Sequence, residues 1–242
     1  MDTGRRRLLA VMPLHAITAT YGEAGLRERF AAEIAAFPAA DRARLGAALE
    51  LAGTLHAADR RQQEPYLNHL LRVAIRILSH YRVRDADVAV AALLHDAVED
   101  HAPALAPDGT REAALAVLAG RFGSRVAGLV GAVTNPDFDP GRDAHEQYRE
   151  HVARALDRSP WARVIKASDF TDNGAGLIHT TGPHAVRLAA KYAPLIPVFR
   201  EVITRPDTPL PAAARRRILD QLDRAAERFA ALLPDGPSAG TE

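Results

Sequence analysis

The 242 residues contain no cysteine. Disulfide frameworks, zinc–thiolate sites, iron–sulfur clusters and a cysteine nucleophile are therefore excluded. Any metal site must be built from histidine, aspartate, glutamate and water, donors that suit manganese, iron, magnesium or zinc. Net charge is also nearly absent, with 31 Lys and Arg against 30 Asp and Glu and a formal charge of +1. That balance gives no support to a nucleic-acid or membrane-surface partner. No apolar stretch approaches the ~20 residues needed to span a bilayer. Arg5-Arg6-Arg7 before Leu8 to Met12 imitates a secretion signal, but Pro13 and His15 interrupt the apolar run. The expectation is a cytoplasmic protein. Aromatic residues make up only 5%, which disfavours sheet.

What the chain has instead is alanine, leucine and arginine at helical spacing, so the fold class expected is all-α. Helices are expected over Gly25–Phe37, Asp41–Arg61 and Asn68–Tyr81. A further one starts at an Asp85 N-cap and runs to about Asp100, short of Pro103. Thr110–Phe122 and Ser124–Val133 follow on either side of Gly123. Asn135–Arg142, with Pro136, Pro140 and Gly141, reads as a loop. Asp143–Asp157 is helical, and Ser159-Pro160 opens a helix that fades near Gly174 and Gly176. His184–Thr204 is expected to kink around Pro194 and Pro197, and Pro211–Leu233 forms a last, basic helix. The expected organisation is a partly flexible segment 1–24, one domain over 25–204, a C-terminal helix over 205–233 packed on or capping it, and a disordered tail 234–242.

Four short segments carry the chemistry. They are Pro65-Tyr66-Leu67-Asn68-His69, Leu93-Leu94-His95-Asp96-Ala97-Val98-Glu99-Asp100, Val164-Ile165-Lys166-Ala167-Ser168-Asp169, and Asn173. On a continuous helix, His95, Glu99, Asp96 and Asp100 fall at about 0°, 40°, 100° and 140°. Three carboxylates would then crowd the C-terminal end of that helix, where the macrodipole disfavours anions. A divalent cation shared with the imidazoles of His69 and His95 would compensate. The alternative is a solvated acidic helix end. It is weakened because His95-Asp96 follows the apolar run Val90 to Leu94, and Asp169 likewise follows Val164-Ile165.

A lone histidine, a His-Asp pair and a distant aspartate, in that order, resemble the HD phosphohydrolase superfamily. The finer pattern is similar to the hydrolase domain of RelA/SpoT homologues and the small alarmone hydrolases. It includes Phe122-Gly123 and Val133-Thr134, and it spans roughly Leu49 to Asn173. The resemblance implies a single HD-type helical bundle with extra C-terminal helices. It implies one divalent ion, usually manganese with Fe2+, Mg2+ or Zn2+ as alternatives, on His69, His95, Asp96 and Asp169. Glu99 and Asp100 would handle the water and the leaving group. Arg60 and Arg61 match a pair of which one stacks on the purine; otherwise both face solvent. Asn173 would contact the nucleotide, and Lys166 would face phosphate or pair with a carboxylate. The implied reaction removes the 3′-pyrophosphate from guanosine tetra- or pentaphosphate, so the partner is a phosphorylated nucleotide.

The chain departs from that pattern. Phe170 stands where a Lys or Arg follows the aspartate, Gly174-Ala175-Gly176 replaces an Arg-Thr continuation, and His101 replaces a threonine. Each departure lies beside the expected nucleotide site. Two other readings therefore stay open: a phosphatase for NADPH or another metabolite with the same centre, and a non-catalytic nucleotide-sensing module. His145 and Arg149 read as a solvated helix face, and His15, His56 and His80 as structural or surface residues. The oligomeric state is open, a homodimer included.

Overall fold

The structure is a computed structural model that describes residues 3–61, 64–174 and 182–233. Gly176, His179 and the 234–242 tail lie outside the described residues. Contacts divide the chain into two compact units, 1–135 and 136–242. The division falls within the loop expected between Asn135 and Arg142. Among the described residues the only strands are two of two residues each, and no helix is long and apolar enough to cross a membrane.

The first unit contains α1 (Thr3–Val11), α2 (Leu14–Ile34), α3 (Ala39–Leu55), β1 (Arg60–Arg61), β2 (Glu64–Pro65), α4 (Leu67–Ser79), α5 (Ala86–Leu93), α6 (Ala97–Leu105), α7 (Arg111–Phe122) and α8 (Ser124–Val133). Its axis is α4, in which every residue from Leu67 to Leu78 is buried. A helix covered on all sides belongs in the middle of a bundle, and α2 and α5 flank it. Two arginines on this buried helix need partners. Arg72 takes Glu64 in a bidentate pair, at 2.7 and 3.0 Å, which also fixes the hairpin against the start of α4. In α2, Gly22 at φ 60° breaks the helix at a backbone setting that a side chain would strain.

Two expectations change here. The helix expected to reach Arg61 ends at Leu55, and β1 pairs antiparallel with β2, Arg60 opposite Pro65. Strands of two residues leave no alternation to read. The helix expected from Asp85 to Asp100 begins as expected, with the Asp85 carboxylate accepting from Asp87 and Val88 N–H, but it stops at Leu93. The reason is local. In a continuing helix the Ala92 carbonyl would accept from the Asp96 N–H; instead it accepts from His95 Nδ1 at 2.9 Å. The imidazole caps α5 from the side, and the chain restarts as α6.

The second unit contains α9 (Ala144–Arg158), α10 (Pro160–Asn173), α11 (Gly182–Tyr192), a 3-10 turn (Ala193–Leu195), α12 (Ile196–Thr204) and α13 (Ala212–Leu232). Asp143 and Ser159 cap α9 and α10 with side-chain oxygens, and Pro160 occupies the first turn of α10. The Pro194–Pro197 kink appears as the 3-10 turn between α11 and α12. α10 is buried from Ala162 to Asp172 and packs on α9 and α12. Phe170 lies among Tyr192, Phe199 and Phe229, with ring centroids 4.8 to 6.5 Å apart. Where the family pattern has a cation, this chain thus has a core residue that ties α10 to the C-terminal helices.

Candidate metal centre

The break between α5 and α6 arranges the first unit's polar residues. His95 sits in the break, fully buried. Its Nδ1 must carry the proton, because the Ala92 carbonyl can only accept. In a neutral ring Nε2 is therefore a bare lone pair, and it faces Asp96 Oδ2 at 3.1 Å. His69, one turn into α4 and also buried, brings its Nε2 to 3.8 Å from the same oxygen. The two rings stand 5.4 Å apart between centroids. A lone pair against a carboxylate oxygen is repulsive unless a positive charge lies between them. Two imidazole nitrogens and a carboxylate oxygen gathered in a buried place are the donors a divalent ion takes, so this set fits one.

The electrostatic reason for a cation differs from the expected one. Asp96, Glu99 and Asp100 do not end a helix; they begin α6, where the macrodipole favours carboxylates. The need for positive charge comes from the convergence on Asp96 Oδ2.

That oxygen has a further partner, the Tyr66 hydroxyl, which donates to it at 2.7 Å. Burial, and then the Asp96 charge, push the Tyr66 pKa far up, so the phenol keeps its proton. Tyr66 entered the sequence reading only as part of a motif; the structure shows it orienting a donor carboxylate. Tyr66→Phe should lower divalent-ion affinity about 10- to 100-fold, the usual cost of removing a group that orients a ligand. Chelator competition measures this, and unchanged affinity would show that the hydroxyl is idle.

Glu99 is held by Asn135. The Asn135 side-chain amide donates to Oε1 at 2.8 Å and its backbone N–H to Oε2 at 3.1 Å. From the sequence alone Asn135 is only the first residue of a loop. The signal was its position directly after Val133-Thr134.

Asp100 is surface-exposed as a residue, yet its carboxyl is pushed up to about 6 by partial burial, then by Asp96 and Glu99. These effects outweigh the helix N-terminus. The folded pKa lies above the unfolded value of 3.8, so ionised Asp100 costs stability above about 6. That cost fades as pH falls from about 6 toward 4. Chelator-treated Asp100→Asn should therefore melt above the wild type at pH 7.5. The gap should shrink by about half at pH 5 and close near pH 4, and a gap that is constant with pH would contradict the assignment.

Arg60 and Arg61 stand on β1. Arg60 is exposed and donates to the Ala57 and Asp59 carbonyls at 3.0 and 2.9 Å; Arg61 is half-buried and acts electrostatically on Tyr66. In the second unit α10 groups Lys166, Asp169 and Asn173, which share its buried stretch or its last turn. Lys166 Nζ lies 3.4 Å from Asp169 Oδ2, and the Asn173 amide donates to Asp169 Oδ1 at 2.7 Å. Lys166 thus pairs with a carboxylate, and Asn173, expected at the nucleotide, bonds to Asp169. His145 and Arg149 are exposed on α9.

Residues 48–155 match the family model of the HD domain. The chain is 33% identical over 128 residues to guanosine-3′,5′-bis(diphosphate) 3′-pyrophosphohydrolase MESH1 of Drosophila melanogaster, covering 52% of this chain and 64% of that protein. The Danio rerio protein of the same name is 39% identical over 106 residues, 43% of this chain and 51% of that one. The chain thus spans between half and two thirds of the length of these relatives. A solved structure described as a metazoan ortholog of SpoT that hydrolyses ppGpp superposes with a TM-score of 0.58 at 27% identity, covering 78% of this chain and 96% of that one.

Proposed function

We propose that the chain, whose residues 48–155 match the HD-domain model and which is similar to the MESH1 proteins, is a metal-dependent phosphohydrolase of phosphorylated nucleotides. The most specific form of this reading is removal of pyrophosphate from the 3′ position of guanosine 3′,5′-bis(diphosphate), the reaction that names those relatives. The observation that carries it is the meeting of His69 Nε2, His95 Nε2 and the Tyr66 hydroxyl at Asp96 Oδ2.

In this reading His69, His95 and Asp96 are three ligands of one divalent ion and Asp169 is the fourth, with manganese as the resident metal. When bound, such an ion lowers the pKa of a coordinated water and screens phosphate charge. Glu99 moves the proton, held by Asn135 at a fixed angle while it does so. Asp100, with its raised pKa, orients the water or the Glu99 carboxylate. Lys166 and Asn173 act on Asp169, turning its carboxylate, in place of the direct nucleotide contacts the resemblance implied. One guanidinium of Arg60 or Arg61, on the exposed hairpin, stacks on the purine. The protein works in the cytoplasm on a small-molecule nucleotide, within alarmone turnover.

The test is to load the full chain with manganese, add guanosine 3′,5′-bis(diphosphate) and resolve the products by phosphorus NMR. Pyrophosphate and GDP are expected. Turnover no faster than manganese alone would overturn the alarmone reading. One observation favours a second substrate: Phe170 is committed to the core where a cation would help hold so charged a ligand. Orthophosphate released from NADPH in a parallel sample, with none of the alarmone consumed, would establish that second reading.

A further inference from the structure

The first unit holds a second group of imidazoles and carboxylate that shares no residue with the proposed centre. His56 ends α3, Asp59 lies in the turn before β1, and His101 lies in α6. One ligand atom from each lies within 4.8 Å of the other two. The individual distances are shorter. His56 Nδ1 and His101 Nε2 stand 2.8 and 2.7 Å from the same atom, Asp59 Oδ2, and 3.2 Å from each other.

The backbone is shaped to make this meeting. His101 leaves helical geometry, at φ −133° and ψ 27°, two residues before Pro103 inside α6. Proline cannot donate to the turn before it and crowds that turn's carbonyl, so the kink has a cause in the sequence. His101 reaches 42 residues back along the chain to Asp59. His56 is buried and stacks on Tyr66 with centroids 4.7 Å apart, and His101 meets its edge at 4.4 Å. Asp59 and His101 remain half-exposed, so an ion and its waters can enter. Burial keeps the His56 imidazole below its ordinary pKa, leaving it neutral at neutral pH as a ligand must be.

We propose that His56, Asp59 and His101 form a second binding site for a divalent transition metal of the zinc class, through His56 Nδ1, Asp59 Oδ2 and His101 Nε2. Three atoms this close leave a point to one side of their plane at about 2.1 Å from each, the length of a zinc bond to nitrogen or oxygen. Two histidines and one carboxylate with open positions suit Zn2+ or Co2+, water completing the shell. The site stands or falls apart from the proposed function. An ion there would put positive charge next to Asp100, on the element that carries the acid–base pair.

The test counts ions in the full chain. Wild type, Asp96→Ala, His101→Ala and the double variant are stripped with chelator, loaded with Zn2+ alone, dialysed and analysed for metal. Two ions per chain are expected in wild type, one in each single variant and none in the double. With Co2+ in place of zinc, the visible absorption of Asp96→Ala should vanish on adding His101→Ala. Asp59→Asn keeps the shape of the cluster and should weaken retention about tenfold or more if His101→Ala fails to fold. An Asp96→Ala protein that retains no ion, or His101→Ala and Asp59→Asn proteins that retain as many as wild type, would show a hydrogen-bonded cluster only. The ion count of His101→Ala reads the first centre separately, so failure of one site is distinguishable from failure of the other.

Discussion

Asp96→Ala is expected to fold, to hold one divalent ion per chain fewer than wild type and to lose turnover by about a thousandfold or more, since several kcal/mol of charge stabilisation leave with the ion. The size of the effect follows from what meets at one oxygen. His95 Nε2 at 3.1 Å, His69 Nε2 at 3.8 Å and the Tyr66 hydroxyl at 2.7 Å all address Asp96 Oδ2. Without it the centre loses one carboxylate ligand and the negative charge that ligand supplied. The Tyr66 hydroxyl is left buried without its acceptor, at a cost of about 1–3 kcal/mol, so a fall in melting temperature should accompany the loss. Asp96→Asn keeps the acceptor for Tyr66 and removes only the charge. It should restore most of the melting temperature and little of the activity. Metal analysis and calorimetry on the same samples check both statements. Full metal content in Asp96→Ala would remove Asp96 from the site.

Glu99→Gln should do the opposite with metal: ion content unchanged, turnover lower by about 10²- to 10⁴-fold, the usual contribution of a general acid–base group. Glu99 is not one of the ligands in this reading, and its two oxygens are taken up by Asn135. Glutamine fills the same space and cannot exchange the proton. Steady-state kinetics across pH 5–9 with metal content in parallel would measure this. A Glu99→Gln protein of full activity would move the proton-transfer role elsewhere.

The chain's helices were legible where capping chemistry is local. Asp85, Asp143 and Ser159-Pro160 each open a helix with side-chain oxygens on backbone N–H groups, as their sequence contexts predict. The break at His95 was not legible, because no glycine or proline marks it. It depends on an imidazole taking the Ala92 carbonyl, and a helical wheel has no place for that bond. That difference matters, because it moves Asp96, Glu99 and Asp100 from the C-terminal to the N-terminal end of a helix dipole. Motif order found His69, His95 and Asp96 because their spacing is short or repeated in a family. It missed Asn135, His56 and Asp59, whose partners lie 36, 45 and 42 residues away. Phe170 could be seen as a departure, but its reason could not, because Tyr192, Phe199 and Phe229 meet it only in the folded second unit.

The central proposal is that one ion is held jointly by His69, His95, Asp96 and Asp169. Anomalous diffraction from crystals of the manganese-loaded protein addresses it without reference to any substrate. The account predicts a peak about 2.0–2.3 Å from Nε2 of both histidines and from a carboxylate oxygen of both aspartates. A manganese-loaded crystal with no peak at those four side chains, or with a peak there that Asp169 does not touch, would contradict it.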